Sequence, residues 1–329
     1  MTAVEPGTRL TNTEAIVAAI GQAMRVDPSI VLIGQDIGPF GGAMQGAKGL
    51  YEEFGAGRVL EAPISESAMV GAGIGAAMFG RRPIVEISFG EFLPAAMNQL
   101  VNQAPNIHYM SGGVLRLPLV IRTRVGDGPY GGHPQDYSAW FAHIPGMKVV
   151  VPASPIDAKG LMTSAIRDDG PVLFVEPMSL AHSSRDLVPD GEVTVAIGEA
   201  HVIRRGGDVT VVASGSTVPM AVHAATELEG RGVDVEVIDL RSLRPWDRST
   251  VSTSVMKTTR LVCVQESWPT AGFSAEVLAA AAEDLGGRLC HAARVGTLEV
   301  PVPSGALRRF VLPSAARLVA AIEAASRRR

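Results

Sequence analysis

Residues 63–67 read Pro-Ile-Ser-Glu-Ser and lead into Ala68-Met69-Val70-Gly71-Ala72-Gly73-Ile74-Gly75-Ala76-Ala77. The proline and serines mark a helix entry, and the small residues after them make a helix that can pack tightly, with Glu66 in its first turn. The helix dipole alone favours an acidic side chain there. A carboxylate held at such a point can also sit against a bound nitrogen heterocycle and set which ring nitrogen carries a proton. His133, in Gly131-Gly132-His133-Pro134-Gln135, is a lone loop histidine, which taken by itself is usually incidental.

The elements that must position these groups follow from the apolar pattern. A capping box, Thr11-Asn12-Thr13-Glu14, opens a helix with Ile16, Ile20 and Met24 on one face, and Asp27-Pro28 closes it. Ser29–Gly34, Ile84–Ile87, Leu117–Ile121, Val149–Val151 and Val172–Val175 read as buried strands. Ser154, Pro155 and Asp157 form another helix start. Apolar strands alternating with helices predict an α/β fold with a parallel sheet covered on both faces. Periodicity lapses after Pro177 and resumes at Asp208–Val212, with a helix over Val218–Leu228 ended by Gly230. Strands over Val233–Ile238 and Leu261–Val264 follow, then a closing helix over Pro313–Ala325. The expected organisation is a domain over 1–176, a linker over 177–206 and a smaller α/β domain over 207–329.

Composition narrows the function classes. At 329 residues, 47% hydrophobic and with 36 glycines, the chain has room for two globular α/β domains. A formal net charge of −4 offers no electrostatic basis for binding nucleic acid. Cys263 and Cys290 stand far apart without a CxxC, which points away from zinc and disulfide frameworks and suits a reducing cytoplasm. Met1–Pro6 lacks the pattern of a secretory signal, and Ala68–Gly80 is too short and glycine-rich to span a bilayer, so no membrane role is expected. The basic tail Arg327-Arg328-Arg329 reads as a solvated end.

Two motifs need weighing. Gly71-Ala72-Gly73-Ile74-Gly75-Ala76 matches GxGxxA, and Glu91 lies 20 residues beyond Gly71, as in dinucleotide-binding turns. That turn must follow directly on a strand, whereas a proline-broken helix entry precedes these glycines, so they are expected to serve close packing. Gly126-Asp127-Gly128 opens like the motif that holds magnesium and diphosphate in thiamine enzymes. No asparagine pair follows downstream, so a glycine turn is expected here.

The chain closely resembles the beta subunits of the thiamine-diphosphate-dependent 2-oxo acid dehydrogenases, the decarboxylating components of the pyruvate, branched-chain and acetoin complexes. The resemblance runs over nearly the whole length, through Met24–Ser29, Gly34-Gln35-Asp36-Ile37-Gly38, Pro63-Ile64-Ser65-Glu66, Arg82–Glu86 and Tyr109–Gly113. It continues through Trp140–Gly146, Val149–Pro152, Asp157–Leu161, Ala165–Asp168, Val237–Arg241, Gly272–Glu276 and Val300–Pro303. It implies a transketolase-like architecture, a pyrimidine-binding domain followed by a smaller C-terminal domain, and an α2β2 heterotetramer whose alpha subunit carries the missing magnesium and diphosphate motif. Glu66 falls on the glutamate that activates the cofactor's pyrimidine. Phe92 falls on the aromatic packed against that ring, and Ile64 lines the same pocket. His133 falls on the histidine where lipoyl groups arrive and would serve acyl transfer. The backbone carbonyls of Leu119, Ala165, Asp168 and Gly170 fall on a potassium site. The implied activity is oxidative decarboxylation of a 2-oxo acid with acyl transfer to a lipoyl domain of an acyltransferase core.

Departures from the family pattern qualify the substrate. His133-Pro134-Gln135-Asp136-Tyr137 stands where the family reads His-Ser-Gln, and Asp136 is expected to add a charge at the channel mouth. Ala104-Pro105-Asn106 removes a basic residue and predicts a kink, while Ser88 and Ala95 are small where the pyruvate enzyme is larger. A stand-alone carboligase with the same cofactor and a different acceptor is the alternative.

Overall fold

The computed structural model describes residues 6–128 and 132–327. Met1–Glu5 at the N-terminus, Gly131 of the glycine loop and Arg328-Arg329 of the basic tail lie outside them. The first domain runs β1 (Gly7–Leu10), α1 (Asn12–Val26), β2 (Ile30–Gly34), α2 (Leu50–Phe54), β3 (Val59–Glu61), α3 (Glu66–Met78) and β4 (Arg82–Ile87). It continues with α4 (Ile107–Met110), β5 (Val120–Val125), α5 (Ser138–Ala142), β6 (Lys148–Val150), α6 (Pro155–Arg167) and β7 (Val172–Pro177). Then come β8 (Asp186–Pro189), β9 (His201–Arg204), β10 (Val209–Ala213), α7 (Thr217–Glu229), β11 (Val235–Asp239), β12 (Ser242–Arg244) and α8 (Arg248–Thr258). The chain closes with β13 (Arg260–Val264), α9 (Phe273–Leu285), β14 (His291–Val295) and α10 (Ala315–Arg327).

A seven-stranded sheet in the order β12-β6-β7-β5-β4-β2-β3 forms the first domain, parallel except for β12. A five-stranded sheet, β14-β13-β10-β11-β9, forms the second, parallel except for β9. Strand β12 crosses from the second domain to pair with β6 of the first, tying the domains through backbone hydrogen bonds. One apolar core also spans both: Val85, Leu119 and Val149 lie in the same buried cluster as Ile238, Leu240 and Val277.

The helix signals hold at atomic level. Thr11 Oγ1 accepts the Glu14 N–H at 3.2 Å, and Glu14 Oε2 accepts the Thr11 N–H at 2.9 Å. Ser154 Oγ accepts the Asp157 N–H at 3.2 Å and starts α6. Helices α1 and α6 pack together over the sheet, where Ile16, Ile20, Met24, Leu161 and Met162 meet Leu32, Ile84 and Phe174. At Ala104–Asn106 the expected break occurs: a π-helical stretch, Asn98–Gln103, gives way to a turn before α4.

Four expectations are corrected. Strand β5 begins at Val120, not Leu117, and continues through Arg122-Thr123-Arg124 in full burial, a sequence that carries no apolar signature. The stretch expected as a linker holds β8, which pairs with β1, and β9, which edges the second sheet; both are short and partly exposed. Strand β3 does precede the glycines of α3, but those glycines lie inside the helix and not in a turn. Of them, Gly73 is the one packing demands, since a Cβ there would lie 2.6 Å from Val85 Cγ2, whereas Gly75 faces open space.

Candidate active site

Three site residues sit on segments that leave the C-terminal ends of parallel strands in the same sheet. Glu66 follows β3, Phe92 follows β4 in a 3-10 segment over Gly90–Ala96, and His133 follows β5. This edge of a parallel sheet is where α/β folds place ligands. Helix α3 packs against the Gly90–Ala96 segment, so the entry of Glu66 and the ring of Phe92 belong to one face of the fold.

Glu66 is half-buried, and among the described residues no hydrogen bond or ion pair engages its carboxylate. Ser65 precedes it in extended conformation and makes no side-chain cap. Ile64, two residues earlier in the chain, is 72% exposed, a large aliphatic side chain left on the surface. Phe92 is half-buried against the core cluster that contains Met69 and Val70 of α3. A carboxylate without a partner beside apolar surface is what a flat, hydrogen-bonding ring needs. A cavity of about 800 Å³ lies elsewhere, between α5, β12 and α9, lined by His143, Trp246 and Phe273 among others.

His133 adopts a left-handed backbone, φ +57°. Its ring stacks on Phe89 at 5.0 Å between centroids and meets the Phe92 edge at 4.6 Å. Its Nδ1 lies 3.1 Å from Glu91 Oε2. Sequence reasoning considered Glu91 only as a possible ribose ligand; the structure places it against the histidine.

The loop that carries His133 is held from the second domain. Glu266, just after β13, accepts the Asp127 N–H and the Ser216 hydroxyl. Gly126 must be glycine, because it has φ +81° and a Cβ would lie 2.6 Å from Glu266 Oε1. Arg308 pairs with the Asp127 carboxylate at 2.6 Å and donates to the Gly128 carbonyl at 3.2 Å. Tyr137 stacks on Trp140 at 4.5 Å and lies parallel to Trp268 at 6.2 Å. The Gly-Asp-Gly turn is therefore committed to protein contacts. Asp136, expected at a channel mouth, instead lines a small cavity between the domains together with Glu266, Ser138 and Ser216.

Burial pushes the Glu266 carboxyl up to about 7, aided by the nearby Asp136 and Asp127 and opposed by its two hydrogen bonds. Asp136 is raised by burial too, and Asp239 rises to about 7 for the same reason, with Asp157 adding to it. Between the ordinary carboxylate range and about 7, the folded chain holds protons on Glu266 and Asp239 that the unfolded chain has released. Stability is therefore expected to fall as pH rises from about 4.5 to about 7 and to level off above it, with Glu266 accounting for roughly 3–4 kcal/mol of the fall at ~1.4 kcal/mol per unit. Thermal melts of the wild type and of Glu266→Gln across that range check this. The wild type should lose stability towards the alkaline side and the variant should lose less; equal slopes would exclude Glu266 as a contributor.

Beneath the same strand ends lies a buried charge network. Arg122 Nε sits 2.7 Å from Glu176 Oε1 and its Nη1 3.1 Å from Glu86 Oε2; Arg124 Nη1 is 3.1 Å from Glu86 Oε1. Arg122 Nη1 also donates to the Gly46 carbonyl at 2.6 Å, fixing the glycine-rich loop after β2. Only glycine fits there, since a Cβ on Gly46 would lie 1.8 Å from Arg124 Nη2. Burial opposes the Arg122 charge, and Glu176 and Glu86 more than offset it.

The four residues whose carbonyls are expected to hold potassium lie at the start of β5 and around the turn from α6 to β7. Val172 N–H donates to the Leu119 carbonyl at 2.9 Å, Ala165 lies in the last turn of α6, and Asp168 caps that helix. The Asp168 carbonyl accepts from Arg82 Nη2 at 2.7 Å, and its carboxylate accepts the Gly170 N–H at 2.8 Å and pairs with Lys148.

Residues 8–183 match the family model of the transketolase pyrimidine binding domain, and residues 198–318 that of the transketolase C-terminal domain. The pyruvate dehydrogenase E1 component subunit beta of Rhizobium meliloti is 39% identical over 334 residues, covering 98% of this chain and 72% of that protein. The acetoin:2,6-dichlorophenolindophenol oxidoreductase subunit beta of Cupriavidus necator is 41% identical, covering 93% and 94%. The 2-oxoisovalerate dehydrogenase subunit beta of Bacillus subtilis is 39% identical, covering 82% and 83%. In three dimensions the chain superposes on a split gene transketolase, an inactive beta4 tetramer, with a TM-score of 0.78 at 24% identity, covering 96% of this chain and 98% of that one. The fold is therefore transketolase-like, and the chain belongs to the beta subunits of the 2-oxo acid dehydrogenase E1 components.

Proposed function

We propose that this chain is the beta half of a heteromeric thiamine-diphosphate enzyme that decarboxylates a 2-oxo acid oxidatively and passes the acyl group to a lipoyl domain. The observation that carries the reading is the half-buried carboxylate of Glu66 at the strand-end face of the first domain, which has no partner among the described residues. Its chemistry and the apolar surfaces of Ile64 and Phe92 fit the pyrimidine ring of the cofactor. Thiamine diphosphate, when bound, supplies a carbon nucleophile and a ring that takes up the electrons left behind by carbon dioxide. Glu66 holds a proton at the pyrimidine nitrogen, Phe92 and Ile64 orient the ring and exclude water, and His133 moves a proton in the acyl-transfer step.

A second chain is part of the proposal. The Gly126-Asp127-Gly128 turn is occupied by Glu266 and Arg308, so magnesium and the diphosphate fall to an alpha subunit in an α2β2 assembly. The exposed Ile64 and the equally apolar Phe40, 68% exposed, suit burial under such a partner. Potassium at the carbonyls of Leu119, Ala165, Asp168 and Gly170 belongs to the same reading: these are hard oxygen donors, and exchanging potassium for a large organic cation should lower the melting temperature. No described helix is long and apolar enough to cross a membrane, and Cys263 and Cys290 are free, which supports placing the protein in a reducing cytoplasm.

Co-expression with a candidate alpha chain, followed by dye reduction over pyruvate, branched-chain 2-oxo acids and acetoin, tests the function. Turnover should require both chains, thiamine diphosphate and magnesium. A stable cofactor-bound complex inert to all of them would favour the carboligase without a lipoyl acceptor, to be tested next with sugar phosphates and aldehydes.

A further inference from the structure

The geometry points to Glu91 as a positioning residue that forms a dyad with His133 and fixes its tautomer, an inference that rests on the acyl-transfer role proposed for that histidine. Glu91 stands in the first turn of the Gly90–Ala96 segment, one residue before Phe92. Its two oxygens are both used by the His133 loop. Oε2 lies 3.1 Å from His133 Nδ1, and Oε1 accepts the Gln135 N–H at 3.0 Å.

An ionised carboxylate can only accept, so the imidazole nitrogen facing it must be the donor. That puts the hydrogen on Nδ1 and leaves Nε2 with a free lone pair, ready to take a proton. The carboxylate side chain is 18% exposed and the imidazole 40%, so Glu91 is the more covered member of the dyad.

The surroundings are built to keep this arrangement. A positive φ at a non-glycine residue is strained and persists only where neighbours impose it. Here the imposing contacts are the stack on Phe89, the edge contact with Phe92, and the Glu91 clamp on both sides of buried Pro134. The segment that supplies the cofactor-facing aromatic thus also orients the histidine. Phe92 itself meets the imidazole edge-on, so the strand end after β4 would support both proposed roles.

The amide variant discriminates. Glutamine at 91 has one acceptor oxygen for two N–H donors, so either His133 or the Gln135 backbone must face an NH2 group. The His133 tautomer can be read in the full chain at neutral pH from side-chain 15N shifts and their couplings to ring protons, with His133→Asn assigning the signal. Wild type should show a protonated Nδ1 and a bare Nε2. Glu91→Gln should move the signal towards the other tautomer or an exchanging mixture, and Glu91→Asp should restore part of the original population. A wild-type ring protonated only on Nε2, or a signal unchanged in Glu91→Gln, overturns the proposal.

Reconstituted complex supplies the second readout. Glu91→Gln should lower acyl transfer to a lipoyl domain by roughly tenfold to a hundredfold, the scale on which misplaced catalytic groups lose rate, with KM for the 2-oxo acid little changed. Equal transfer rates in the two proteins overturn the positioning role. A complex with no activity in wild type would instead defeat the functional reading, while the tautomer measurement on the chain alone still decides the dyad.

Discussion

Arg122→Met is expected to cost about 3–5 kcal/mol of stability, because it leaves Glu86 and Glu176 buried with a single guanidinium between them. Arg122 is completely buried, and besides two carboxylates it satisfies the Gly46 carbonyl, so its loss also frees the loop after β2. Replacing the pair, Arg122→Met with Glu176→Leu, removes one charge of each sign and leaves Arg124 facing Glu86. The double variant should therefore be more stable than the single one, although it carries more changes. Chemical denaturation followed by fluorescence and circular dichroism separates the two. A single variant as stable as wild type, or a double variant less stable than the single, would mean that the network is not held by charge balance.

Glu66→Gln is expected to lower turnover of the reconstituted enzyme by ~10²–10⁴-fold, the range in which a positioned acid or base contributes. Glutamine keeps the size and can still donate or accept a hydrogen bond, so the cofactor should bind with little change; what it lacks is the charge that stabilises a protonated ring nitrogen. Because Glu66 has no partner among the described residues, the substitution breaks no contact of the fold, and the melting temperature of the chain should hardly move. A large loss of rate with an unchanged fold and retained cofactor binding separates a chemical role from a structural one. Full turnover in the variant would remove Glu66 from the chemistry.

Much of the fold was legible because local signals and burial agreed. The Thr11 capping box, the Ser154-Pro155 start and the Gly230 stop each name their own partners within a few residues. Strand β5 was misjudged because its deepest residues are Arg122 and Arg124, whose place depends on Glu86 and Glu176 in strands far away in the chain. A hydropathy pattern has no way to register a charge that is buried because it is paired. The edge strands β8 and β9 were hidden for the opposite reason: each is four residues long and mostly uncovered, so its few apolar side chains make no run or alternation that marks a buried face.

The site divides in the same way. Glu66 could be located at a helix entry from its neighbours, but its chemical meaning came from the family resemblance and not from spacing. His133 was visible as a loop histidine, while its partner Glu91 lies 42 residues earlier and meets it only because β4 and β5 are adjacent. Glu266 carries no local signal at all. It is buried where the second domain meets the loop of the first, a place that exists only once β12 and the shared core have joined the two.

The most direct test of the account is the exchange with deuterium of the reactive thiazolium proton of thiamine diphosphate bound to the complex of this chain with its alpha subunit. Exchange should be much faster than in the free cofactor and should fall by ~10²–10⁴-fold in Glu66→Gln at equal cofactor occupancy. Equal exchange in wild type and variant would show that Glu66 does not activate the cofactor and would contradict the assignment of this face as the catalytic one.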